Sequence, residues 1–164
     1  MIEESMRPRE MSHQKGPLAK KRRRQRANKM EVGIAGARIL ELAVHKNKRG
    51  ALVALEKQQG LPFSLKRVFC IFDVPASVER ANHSITAPML LMTIKGAVTA
   101  TCDNGSENAR FRLDRCGKGL YVKPGVLLKL SGFAPQTVLL VASPKSYAEV
   151  RYFDRPVFGM KKVS

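Results

Sequence analysis

The sequence predicts an all-β domain of antiparallel strands, and three observations carry that reading. Beyond Lys66, short apolar runs at 67–74, 89–102, 109–114, 119–133 and 137–143 alternate with turn signals, as strands do in a sandwich or barrel. Those runs have almost no helical period. Between 98–102 and 109–113 stands Asp103-Asn104-Gly105, a strong hairpin signal, because Asn-Gly readily takes the positive φ angles of a type I′ turn.

Residues 33–44 (GIAGARILELAV) are too densely apolar to separate a short helix from a strand. His45-Lys46-Asn47-Lys48-Arg49-Gly50 reads as a polar turn and 51–55 as a strand. Gln58-Gln59-Gly60 is a second turn, and Pro62 opens a new segment. Later breaks fall at Pro75-Ala76-Ser77, Lys118-Gly119, Pro124-Gly125 and Ala134-Pro135-Gln136. Residues 147–160 are compatible with either helix or strand, and no internal repeat is visible.

At 164 residues and 44% hydrophobic, the chain holds one modest core and is too short for two. Residues 31–164 are therefore expected to form a single domain, with 1–30 as a basic, disordered tail. The formal charge is +17, from 30 Lys and Arg against 13 Asp and Glu. The run Lys20-Lys21-Arg22-Arg23-Arg24-Gln25-Arg26 repels itself and has no apolar periodicity. It reads either as an arm for nucleic acid or anionic lipid or as a solvated tail. The basic body favours an anionic ligand. No run reaches the roughly 18 apolar residues of a membrane helix, and the acidic, polar N-terminus is unlike a secretory signal. Cys70, Cys102 and Cys116 are odd in number and lack a C-x-x-C pair, so a reducing, cytoplasmic setting is expected.

Several motifs stand in one consistent order. They are Arg49-Gly50-Ala51-Leu52-Val53-Ala54-Leu55-Glu56, Pro62-Phe63-Ser64-Leu65-Lys66-Arg67-Val68, Phe111-Arg112-Leu113-Asp114, and Gly119-Leu120-Tyr121-Val122-Lys123-Pro124-Gly125-Val126. Val138-Leu139-Leu140-Val141-Ala142-Ser143 and a following Tyr147 complete the set. On these the segment from about 49 to 153 resembles the cupin family of sugar-nucleotide 3,4-ketoisomerases, which act on dTDP-4-keto-6-deoxyglucose in deoxysugar biosynthesis. The resemblance implies a cupin jelly-roll β-barrel with a ligand cavity in its mouth, a nucleotide-sugar ligand, and a homodimer.

Departures from the family pattern fall at the chemistry. Where the family has Arg-Gly-x-His-Ala-His, this chain has Arg80-Ala81-Asn82-His83-Ser84-Ile85. The first histidine is kept as His83 and the second is Ile85; one residue is missing before Met89, which takes the place of a Gln. A later family histidine is Leu128, and a Tyr-Tyr pair is Phe69-Cys70.

Moving a carbonyl from C4 to C3 through an enediol needs groups that carry protons near neutral pH, and imidazole suits that task. His83 is the expected catalytic residue, although it also reads as a satisfied polar histidine beside a loop. Arg49, Arg67 and Arg80 match family positions, and planar guanidinium groups bind diphosphate oxygens bidentately. Arg49 and Arg67 equally suit structural ion pairs with Glu56 or Asp73. Asn82 offers a hydrogen bond to a sugar. The thiols read as small core residues, with Cys70 also open to a reactive role. One imidazole cannot hold a transition metal, which takes three or four ligands, so neither metal nor cofactor is expected.

Three functions fit these residues. The resemblance favours a sugar-nucleotide 3,4-ketoisomerase with an eroded His/Tyr set. The alternative is a catalytically silent cupin that binds a nucleotide sugar or a partner protein, since function lives in the site rather than the fold. A nucleic-acid role would rest on the basic tail alone.

Overall fold

The structure is a computed structural model that describes residues 33–57 and 60–159; the basic run at 20–26 lies outside them. Twelve strands occupy the described residues. They are β1 (Ala37–Glu41), β2 (Val44–Asn47), β3 (Gly50–Val53), β4 (Arg67–Phe72), β5 (Arg80–Ile85), β6 (Met89–Lys95), β7 (Val98–Asp103), β8 (Asn108–Leu113), β9 (Lys118–Val122), β10 (Leu127–Ser131), β11 (Val138–Ser143) and β12 (Tyr152–Phe153). A 3-10 turn at Tyr147–Glu149 precedes β12.

Two five-stranded sheets run in the orders β1-β9-β6-β11-β4 and β12-β5-β10-β7-β8, with β2-β3 as a separate hairpin. Every pairing is antiparallel. The chain crosses from one sheet to the other at β4–β5, β5–β6, β6–β7 and β8–β9, on either side of β10, and again at β11–β12. This is the expected cupin jelly roll.

Patterning explains the strands. β7 alternates between buried and half-buried positions, the period of a sheet with one face on the core. β6 does not alternate, because both its faces are covered. Leu91 joins the interior cluster with Val98, Leu120 and Leu139. Its neighbours Leu90 and Met92 join a second cluster with Leu42, Leu61 and Phe63. Burying each such leucine stabilises the fold by about 1.5–3 kcal/mol. Residues 37–41, left open between helix and strand, form β1 against β9.

Several local expectations change: residues 45–47, read as part of a polar turn, belong to β2 and pair with β3, and Lys118-Gly119, read as a break, opens β9. The β7–β8 hairpin exists, with Asp103 opposite Asn108, but its turn is a four-residue loop and positive φ falls on Gly105 alone (91°). Asn104 acts instead through its side chain, accepting bonds from the backbone N–H of Ser106 (2.9 Å) and Glu107 (2.8 Å) and donating to the Ala35 carbonyl (3.0 Å). Of the thiols, Cys102 is a core residue whose burial pushes its pKa up to about 12, whereas Cys70 and Cys116 are exposed.

Candidate active site

A cavity of about 440 Å³ opens between the two sheets, walled by β4, β5, β6, β10, β11 and β12. Its floor is apolar, with Met89, Leu91 and Val141, while Arg67, Glu79, Arg80, His83 and Tyr152 supply the polar wall. An apolar hollow with a few convergent polar groups is the usual form of a small-molecule site.

His83 sits on β5 directly opposite Leu128 of β10. The pairing then skips Asn82, since Lys129 faces Ala81. At this bulge both Ala81 (φ 63°) and Asn82 (φ 60°) take the left-handed conformation, which L-residues adopt at a cost. The kink lets the Ala81 carbonyl meet His83 Nδ1 at 3.0 Å. A carbonyl only accepts, so Nδ1 carries the proton and the neutral ring keeps its lone pair on Nε2. Burial lowers the pKa of the half-buried ring below 6.5, and the backbone bond, which favours the charged form, offsets part of that shift. His83 is thus a neutral imidazole with a basic nitrogen to spare.

Arg67, on β4, lies over the rings of Phe69 (4.4 Å) and Tyr147 (5.1 Å), two cation–π contacts that hold its guanidinium plane. Arg80, on β5 of the other sheet, is exposed and lines the same cavity. The nearby Glu79 is engaged by Lys129 at 2.8 Å. Tyr147 is positioned by its 3-10 turn, where the Glu149 carboxylate accepts from the backbone N–H (2.8 Å) and hydroxyl (2.6 Å) of Ser146 and from Lys66 (2.8 Å). The Lys66 bond, seconded by those from Ser146, lowers the Glu149 pKa to about 2.

Of the residues expected from sequence, the structure brings His83, Arg67 and Arg80 together on the cavity wall. Asn82 is exposed on the bulge, and Arg49 occupies the exposed turn between β2 and β3; neither lines the cavity. The departures do cluster there, since Phe69, Cys70, Met89 and Leu128 all line it. Ile85 is buried in the core beneath. Sequence reasoning missed Tyr152, whose ring stands edge to face with His83 at 4.9 Å. A two-residue strand has no period to detect. The available signal was compositional, because two of only three tyrosines fall within 147–152. Among the described residues no three His, Cys, Asp or Glu side chains are grouped to hold a metal.

Comparison with known proteins gives these features a context. The chain is 33% identical over 107 residues to the TDP-4-oxo-6-deoxy-alpha-D-glucose-3,4-oxoisomerase of Aneurinibacillus thermoaerophilus, a match covering 65% of this chain and 77% of that protein. Among solved structures, a double mutant of the QdtA 3,4-ketoisomerase of Thermoanaerobacterium thermosaccharolyticum, in complex with TDP, superposes with a TM-score of 0.71 at 27% identity, over 75% of this chain and 90% of that one. The WlaRB TDP-quinovose 3,4-ketoisomerase of Campylobacter jejuni gives 0.71 at 28% identity, over 74% and 95%. The expected resemblance to sugar-nucleotide 3,4-ketoisomerases therefore holds in both sequence and fold. Residues 35–158, most of the chain, match the model of the FdtA family, described as WxcM-like, C-terminal, and the protein belongs to that family.

Proposed function

We propose that this protein is a TDP-sugar 3,4-ketoisomerase acting on a 4-keto-6-deoxyhexose. The observation that carries the reading is His83, a neutral imidazole on the cavity wall whose Nδ1 is committed to the Ala81 carbonyl. Its free Nε2 is suited to take the C3 proton of the sugar, giving an enediol, and then to return a proton to C4. One imidazole serves both steps when the two carbons present the same face, and a matched base contributes about 10²–10⁴-fold in rate. The replacements at Ile85 and Leu128 leave no second imidazole to share that work.

Arg67 and Arg80 suit the diphosphate. Arg67 is held flat by its two rings, and preorganisation lowers the entropy lost on binding. Calorimetry with TDP tests this. Wild-type protein should bind, and Arg80→Glu should weaken binding by about 2 kcal/mol or more, because repulsion replaces a charge-assisted bond. Absence of TDP binding by the wild type would contradict the reading.

The same reading makes the protein a cytoplasmic homodimer. Supporting the dimer, β4 is an edge strand on which Val68 (48%) and Phe72 (60%) are exposed, and Ile94 (47%), two strands away on β6 of the same sheet, is exposed as well. Arg49, which does not line the cavity of its own chain, would be free to meet a ligand across a subunit boundary, and Asn82 from outside the cavity wall. Light scattering at twice the 18.2 kDa chain mass would bear out the dimer.

A further inference from the structure

We infer that Tyr152 is the second proton-transferring group of the site, a phenol delivered by the C-terminal strand to the place where imidazole has been lost. This rests on the isomerase reading above.

The register carries it. Tyr152 pairs with Ile85, the position at which the family pattern has its second histidine. Residues directly opposite share a face, and diagonal neighbours two positions away lie within reach of aromatic side chains. Tyr152 is therefore diagonal to His83, as the 4.9 Å between the two ring centroids shows, and both rings line the same cavity. A bound sugar carbon and its oxygen, one bond apart, can meet both.

The strand is fixed in place rather than draped. The Thr86 N–H donates to the Arg151 carbonyl (3.2 Å) and the Arg151 N–H to the Thr86 hydroxyl (3.0 Å). Two residues beyond β12, the Arg155 carbonyl accepts from Ser84 Oγ at 2.7 Å. The Tyr147 ring stands 5.7 Å from that of Tyr152. The other polar groups of the wall are less suited. Glu79 is engaged by Lys129, and the guanidinium groups of Arg67 and Arg80 donate hydrogen bonds but do not give up protons.

The proton traffic balances. His83 takes the C3 proton, the C3–H pair becomes the C3=C4 bond, and the C4 carbonyl pair moves onto O4, which takes the phenolic proton of Tyr152. In the second half the phenolate recovers the proton of the C3 hydroxyl as the C3 carbonyl forms. The C3=C4 pair moves onto C4 and takes the imidazolium proton in the same step. Both residues end as they began, and no oxidant or reductant is involved.

The test compares wild-type and Tyr152→Phe full-length protein on TDP-4-keto-6-deoxyglucose, alongside TDP affinity by calorimetry. The expected result is a fall in kcat of about 10²-fold with KM and TDP affinity within about threefold, the pattern of an interaction made only in the transition state. Tyr152→His, which restores a proton-carrying ring, should recover part of the loss. Wild-type turnover matched within threefold by Tyr152→Phe overturns the role of Tyr152 and leaves the isomerase reading standing. Wild-type protein that binds TDP but turns nothing over overturns the isomerase reading and this inference with it.

Discussion

Ala81 shows how much of the site depends on a single backbone conformation. The family pattern places glycine where this chain has Ala81, and the φ of 63° explains the preference, since left-handed conformation costs an L-residue about 1–2 kcal/mol. Ala81→Gly should therefore raise stability by about 0.5–1 kcal/mol, the relief being reduced by the entropy of glycine in the unfolded chain. Urea denaturation reads this directly. His83 makes a second prediction. Its folded pKa lies below 6.5, so as pH falls through 6.5 the unfolded chain binds the proton first. The stability owed to the neutral ring is present above 6.5 and is lost between that value and the folded pKa. Catalysis by a neutral imidazole follows the same direction. The acid limb of kcat/KM should have an apparent pKa below 6.5, and a limb at or above 6.5 would exclude His83 as the base. His83 was legible in the sequence because a motif carried it. Its tautomer was not, because the Ala81 carbonyl reaches it only through the bulge.

At the scale of elements, β12 is the part that sequence could not supply. The strands β4 and β6 to β11 announced themselves by apolar runs and turn residues, and they stand close to where those signals put them, whereas β5 has no apolar run and was marked only by its motif. A strand of two residues has no pattern, and β12 exists because tertiary contacts impose it. Gly125, with φ 83°, is central to those contacts: its N–H donates to the Ile85 carbonyl (2.9 Å) and its carbonyl accepts from the Val157 N–H (2.8 Å). A Cβ there would stand 2.7 Å from the backbone of Val157 and Phe158. Gly125→Ala should cost about 1–3 kcal/mol through that clash and the strained φ. It should also speed amide exchange at Val157, whose bond to Gly125 holds the segment beyond β12. Unchanged exchange would show that the segment is anchored elsewhere. The β7–β8 turn teaches a related point. Asn-Gly correctly marked a hairpin, yet the Asn104 side chain took over the bonding that an Asn backbone in a type I′ turn would have supplied.

For the whole molecule, the jelly roll is the most legible property and the activity the least. Strand spacing and the ordered motifs led to the same fold, because both follow from burying alternate residues between two sheets. The replacements at Phe69, Cys70, Ile85 and Leu128 read in isolation as the erosion of an active site. In three dimensions Phe69, Cys70 and Leu128 line, and Ile85 lies in the core beneath, a cavity that still holds a neutral imidazole, two arginines and a phenol brought in from the chain's far end. The charge of +17 agrees with an anionic ligand, although it does not select one. The central claim is that this cavity still moves a carbonyl. The most direct measurement is proton NMR of TDP-4-keto-6-deoxyglucose incubated with the protein in deuterium oxide. The account predicts conversion to the 3-keto sugar with solvent deuterium entering at the sugar carbons, and a rate at least about 10²-fold lower for His83→Asn. Recovery of the 4-keto sugar unchanged and fully protonated would contradict it.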